Sequence, residues 1–266
     1  MTRSAVALLA LAALAAPAAP AAGPTAEQEF LRKAGRAAED SLKQLQSVTC
    51  LETVHQAKLD AKGKTVFEQD TSYDYLVVFQ VTPDNLVFDE SRAAMPEVKS
   101  KKKVEKERVA LLITNGFPTF EFIFHPFFQN SYEFSAPELV DNDGTPALRV
   151  TFRHVHGARS PSVLKLKSRE YPVEWQGAAW LDPKTGTIVR ISASLLVPME
   201  DVGLKTLSAD VRFEPVRFKE DQTVHLLPAT ATIEAETLHQ RWRNQHTFTG
   251  YRLFNVEVKS EVESQK

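Results

Sequence analysis

Beyond Pro146 the chain runs as eight β-rich segments, at 147–156, 162–167, 173–182, 188–197, 204–214, 223–227, 229–240 and 246–258. Only short turns separate them. A short turn returns a strand beside its predecessor, whereas parallel pairing needs a crossover of about a dozen residues or more, so these segments predict an antiparallel sheet. The sharpest junction is Trp180-Leu-Asp-Pro-Lys-Thr-Gly-Thr-Ile188, where Asp-Pro opens a type I turn and Gly186 supplies the positive φ that closes a hairpin. Upstream, Tyr73, Tyr75, Val77, Phe79 and Val81 recur at period two. The segments 48–59 and 65–81 therefore read as two further strands, with turns at 60–64 and 82–85.

Two segments break this rhythm. Over 25–46, Phe30, Ala34, Ala37, Ala38, Leu42 and Leu45 fall at three- and four-residue steps, which gives a helix with one apolar stripe to bury. Over 117–134 the chain places seven of its 16 Phe. Pro118 suits a first helical turn, and Phe120, Ile123, Phe124 and Phe127 share one helical face. No linker or repeat divides the rest. The expected fold is mainly β (α+β): a single domain over 25–260 built on one strongly curved antiparallel sheet, a half-barrel. It carries an N-terminal helix and a Phe-rich lid or plug helix.

The first residues have the layout of a signal peptide, assigned to the region 1–22. Arg3 makes a basic start, an Ala/Leu/Val run covers 5–16, and small residues around Ala19 and Ala21 suit cleavage after Ala21. The expected location is periplasmic or secreted, with no membrane span after cleavage and, for want of a cysteine there, no lipid attachment. Cys50 is alone and reads as a buried strand residue. A net charge of −2 gives no footprint for nucleic acid. The run 99–107, with its interleaved Lys and Glu, reads as a solvated helix start or loop.

Catalytic signatures are missing from the sequence. Gly157-Ala-Arg-Ser160 leads into Pro161 and makes no nucleophile elbow, and neither a phosphate loop, His-Glu-x-x-His, nor a cysteine pair for zinc occurs. His154 and His156, two apart on a predicted strand, would share a face, but two nitrogens do not complete a metal site. No catalytic residue, metal or cofactor is assigned. The Phe segment carries the functional expectation: an apolar ligand site formed by Phe117, Phe120, Ile123, Phe124, Phe127, Phe128 and Phe134, with Trp175 and Trp180 on or near the sheet wall. Its expected partners are a lipid or an acylated protein, and an envelope protein. Alternatively, the Phe segment simply fills the sheet, and the protein is an extracytoplasmic sensing or interaction module.

The stretches 177–191, 210–216, 227–230 and 251–256, with 122–128 (Phe-Ile-Phe-His-Pro-Phe-Phe) and 149–160, resemble a group of uncharacterised exported bacterial proteins. More distantly, the Trp180-Leu-Asp-Pro-Lys-Thr-Gly186 hairpin and the strand-rich layout are similar to the LolA-like periplasmic lipoprotein-carrier family. That resemblance implies a curved half-barrel closed by helices over an apolar cavity that receives acyl chains.

Overall fold

The computed structural model describes residues 25–81, 86–95, 111–166, 168–218 and 224–253, with the side chains of 78–81, 86–88 and 117–119 left aside. Residues 1–22, read from the sequence as a signal peptide, 82–85, read as a turn, and the run 99–107 lie outside the described residues. The N-terminal helix α1 is Ala26–Leu45, opened by a capping box: Thr25 Oγ1 accepts from the Gln28 amide at 3.2 Å, and Gln28 Oε1 accepts from the Thr25 amide at 2.9 Å. Its apolar stripe divides between two partners. Ala34, Ala38 and Leu45 join the main core, while Leu42 packs in a second cluster with Phe122 and Phe128.

Strands β1 (Val48–Leu59) and β2 (Thr65–Val81) have the predicted bounds. The turn between them closes because Asp60 Oδ1 accepts from the amides of Lys62 and Lys64, with Gly63 at φ 79°. Then come β3 (Leu86–Ala94), β4 (Tyr132–Phe134), β5 (Glu138–Asn142) and β6 (Thr145–His154). The short pair β7 (Val163–Leu166) and β8 (Arg169–Pro172) forms its own two-stranded sheet. The chain continues through β9 (Trp175–Leu181), β10 (Ile188–Leu195), β11 (Leu204–Arg217), β12 (Val224–Thr237) and β13 (Arg241–Leu253).

Eleven of these strands form one antiparallel sheet, in the order β3-β2-β1-β13-β12-β11-β10-β9-β6-β4, with β5 also paired to β6. The pairing of β1 with β13 joins the first strand to the last. Four strands escape the sequence pattern: β3 mixes polar and apolar residues, while β4, β5 and β8 are too short for a period to register. The two segments read on either side of Pro228 are one strand. Pro228 has no amide to donate, and it sits opposite Phe213, where a register irregularity between Arg212 and Phe213 accommodates it.

Register sorts the residues onto two faces. The inner row runs Phe134, Phe152, Gly177, Ala193, Ala209, Ile233 and Asn244, and a neighbouring inner row runs Val150, Ala179, Ile191, Val211, Ala231 and His246. One contiguous core cluster contains inner-face residues from β2 (Tyr75, Val77) to β6 (Val150, Phe152). At about 4.8 Å per strand the sheet is several helix diameters wide, so one helix and a short segment can bury that face only because the sheet curls around them.

The small inner residues make room for what covers them. A Cβ at Gly177 would overlap the Ser192 carbonyl oxygen and lie 2.9 Å from Phe152 Cζ. Gly177→Ala is therefore expected to lower stability by about 1–3 kcal/mol in urea unfolding, since neither backbone nor ring has room to move.

Candidate functional site

The inner face is covered by residues 117–129, between the sheet and α1. The sequence pattern predicts a single helix here, but the structure has a 3-10 turn, Phe117–Ile123, then a one-turn helix α2, Pro126–Gln129. The cause is Pro126, which forces His125 to an extended conformation (φ −61°, ψ 136°) and so ends the first turn. Gly116, at φ 77°, sets the entry. The 3-10 turn touches α1, β10, β11 and β12.

The sequence-predicted ligand residues separate into three settings. Phe120, Ile123 and Phe124 enter the main core, with Phe124 wholly buried. Trp175 is 2% exposed, its ring edge-on to Phe120 at 5.0 Å, and half-buried Phe134 lies 5.1 Å from the Phe124 ring. Phe128 and half-buried Phe127 belong to the second cluster on the far side of the cover, with the Arg159 guanidinium 4.5 Å above the Phe127 ring. Trp180 is on the outer face, flanked by Arg149 at 6.0 Å and Arg190 at 4.7 Å, because β9 alternates and its inner positions are Trp175, Gly177 and Ala179. The Phe117 side chain lies outside the described residues.

Polar side chains pin the cover at its edges. Glu121 is buried against α1 and accepts one hydrogen bond, from Ser41 Oγ at 3.0 Å. Burial pushes its pKa up to about 8, and the Ser41 bond offsets only part of that. Gln129 Nε2 donates to the carbonyls of Leu31 at 2.8 Å and Phe124 at 3.0 Å. Gly35 lets α1 approach closely, since a Cβ there would stand 3.3 Å from Phe124 O, Pro126 Cγ and Gln129 Nε2.

A buried ionic network holds the approach to the cover, residues 111–116. Glu52, fully buried on β1, accepts from Arg92 Nε at 2.5 Å and Nη2 at 3.0 Å, and its Oε1 lies 2.7 Å from His246 Nδ1. His246 Nε2 is 2.6 Å from Thr114 Oγ1, which also accepts from Asn244 Nδ2 at 3.0 Å. Arg92 Nη1 donates to Glu90 at 2.6 Å and Asn115 at 2.7 Å. Leu112 O accepts from Gln56 at 2.8 Å and Asn244 at 2.7 Å. Hydroxyl, imidazole and carboxylate are in the order of an acyl-transfer relay, but Thr114 is buried and shared with Asn244, so here the chain of bonds ties the approach segment to β1, β3 and β13. Burial pushes the Glu52 carboxyl upward, yet hydrogen bonds from His246 and Arg92, and the Arg92 charge, outweigh it and leave the pKa below the ordinary value. None of this network was nominated from the sequence, because its members are spread over 194 positions.

Other candidates resolve differently. His154 ends β6 with its side chain buried, whereas His156 stands in the following turn, its side chain 91% exposed, so the two do not share a strand face. Among the described residues, no three His, Cys, Asp or Glu side chains are grouped to hold a metal. Cys50 is buried, and burial pushes its thiol up to about 12. Two open clefts of about 780 Å³ each are found, the second lined by the predicted ligand residues Phe134 and Trp180. One runs between α1 (Arg32, Lys33, Arg36) and the hairpin residues Asp182 and Thr185, and the other lies around Trp180, Arg149 and Arg153; Phe120, Ile123 and Phe124 line neither.

Four buried side-chain polar atoms lack a hydrogen-bond partner among the described residues: Tyr132 Oη, His154 Nδ1, Trp175 Nε1 and Asn244 Oδ1. Each such group costs about 1–3 kcal/mol when left unpaired away from water.

Two pH effects of opposite sign follow. Glu52 binds its proton less tightly folded than unfolded, so its contribution is fully present at neutral pH and is lost as pH falls through its lowered pKa. Glu52→Gln is expected to cost about 3–5 kcal/mol at pH 7 and to flatten the acid limb of the stability curve. Glu121 binds its proton more tightly folded, so its contribution is full below 4.5 and is lost as pH rises through about 8. Glu121→Gln should abolish that alkaline decline, about 1.4 kcal/mol for each pH unit between the two values, in urea titrations across pH 4–9.

No protein-family model matches the chain, and no curated protein matches it. Among the described residues, no helix is long and apolar enough to cross a membrane. Among solved structures, the chain is similar to a DUF1329 family protein from Desulfovibrio piger ATCC 29098, at 10% identity and a TM-score of 0.42, over 85% of this chain and 92% of that one. It is also similar to a putative outer membrane lipoprotein-sorting protein domain from Vibrio parahaemolyticus, at 10% identity and a TM-score of 0.40, over 84% of this chain and 93% of that one.

Proposed function

We propose that this is a periplasmic or secreted protein that binds an apolar chain, of a lipid or an acylated protein, on the inner face of its sheet, with residues 117–129 as the cover the ligand displaces. The observation that carries the reading is how the cover is attached. Its amides at Phe124, His125, Phe128 and Gln129 donate to carbonyls within the segment, not to the sheet. Phe120, Ile123 and Phe124 meet the sheet through apolar contact, as members of the main core. An acyl chain offers the same small inner residues the same kind of contact, so exchange leaves the strand pairing intact. An envelope protein would serve as donor or acceptor of the chain.

A second reading is favoured by the complete burial of Phe124 and the near-complete burial of Ile123: a filled module that recognises a protein and takes no ligand. Gly35→Leu separates the two, because its side chain has no space beside Phe124 O and Pro126 and must lift the cover. Carrier behaviour predicts lipid co-purifying in native mass spectrometry, saturable binding of a fluorescent fatty acid, and several-fold tighter binding by Gly35→Leu despite its lower stability. If neither protein binds the probe and no lipid co-purifies, the carrier reading fails and the filled module stands.

A further inference from the structure

Three of the four residues that carry an unpartnered polar atom lie in one row at the end of the inner face. Tyr132 on β4 is paired with His154 on β6, their rings 5.0 Å apart. The β6–β9 register, with Arg153 opposite Gln176, continues to set His154 opposite Trp175. Tyr132, His154 and Trp175 are 5%, 2% and 2% exposed, next to the row of Phe134 and Phe152 and beneath Phe120 of the cover. A row with a phenol, an imidazole nitrogen and an indole N–H, set among phenylalanines, is a polar end to an apolar surface.

The chemistry of the row defines what it can take. Trp175 Nε1 only donates, and Tyr132 Oη donates or accepts. His154 Nε2 is 3.3 Å from the Arg159 carbonyl oxygen, a bond that requires its hydrogen, so in the neutral ring Nδ1 presents a lone pair. The row thus offers two donors and an acceptor. Glu174 Oε1 is 4.0 Å from His154 Nδ1 and is held by His156 at 2.9 Å and the Gly157 amide at 3.1 Å, which keep that carboxylate charged. A second negative charge beside it is disfavoured.

Building on the carrier reading, we propose that Tyr132, His154 and Trp175 bind the uncharged carbonyl end of the acyl chain, an ester or amide with a neighbouring hydroxyl or N–H, in preference to a free carboxylate. The carbonyl accepts from Trp175 and Tyr132, and the neighbouring donor satisfies His154. An O-acyl glycerol and an N-acylated peptide terminus share this chemistry.

The test compares ligands of one chain length: a monoacylglycerol, an N-acyl glycinamide, the free fatty acid, and a hydrocarbon probe with no polar end. At pH 8 the two neutral acyl ligands should compete for the fluorescent probe at least 10-fold better than the fatty acid, and the stronger of the two identifies the source. Tyr132→Phe should remove most of that preference, leave hydrocarbon binding unchanged and, by deleting an unpaired buried hydroxyl, raise the Tm of the free protein. Trp175→Phe should likewise weaken the neutral acyl ligands selectively. Equal affinity for all polar ends, or unchanged preference in both variants, would overturn the assignment and leave the row as a hydrated site. Absence of binding by every ligand, the hydrocarbon included, would instead sink the carrier reading on which it rests.

Discussion

An eleven-stranded sheet has far more inner surface than one 20-residue helix can cover, and the rest of the structure follows from how that surface is kept from water. The sheet curls, its middle strands carry Gly and Ala inward, and a Phe-bearing segment fits between those small residues and α1. Apolar burial is non-directional, contributing about 1.5–3 kcal/mol for each large side chain, so it brings the segment in without fixing its place. Position comes from the polar bonds at its borders.

Those borders are electrostatically distinct. On the β1–β3–β13 side, Glu52, Arg92, His246 and Thr114 form a network in which each buried charge has a partner, which is the condition for a buried ion to be tolerated. Against α1, Glu121 has only the Ser41 hydroxyl and is kept neutral by burial. The approach segment is thus tied to three strands by charged hydrogen bonds, and the cover beyond Gly116 by neutral hydrogen bonds to α1 and apolar contacts with the sheet. The displacement proposed for the cover requires such an anchored root, so that the cover moves without the domain unfolding.

The row of Tyr132, His154 and Trp175, each with one polar atom lacking a partner among the described residues, runs against stability, because apolar residues of similar shape would remove three desolvated polar atoms. Such a departure from consistent packing is the ordinary mark of a functional position. In the proposed carrier, where the cover is displaced, the row would give the inner face a polar end beside its apolar length, matching the two parts of an acyl group.

Much of the architecture was legible from residue pattern alone. Period-two segments and the Asp182-to-Gly186 turn gave the antiparallel order, the three- and four-residue steps gave α1, and local hydrogen bonding accounts for both. The Phe cluster was legible as a cover, but its path was not: Pro126 divides it, and its rings serve two clusters. Trp180 could not be told from Trp175 without the register that alternates them between faces. The sequence by itself determined most of the strands, the first helix and the apolar character of the cover, since each depends on neighbours within a few positions. The tertiary structure alone decided the Glu52–His246 network and the Tyr132–His154–Trp175 row, because their members meet only through strand pairing between distant segments, where sequence spacing carries no information about distance in space.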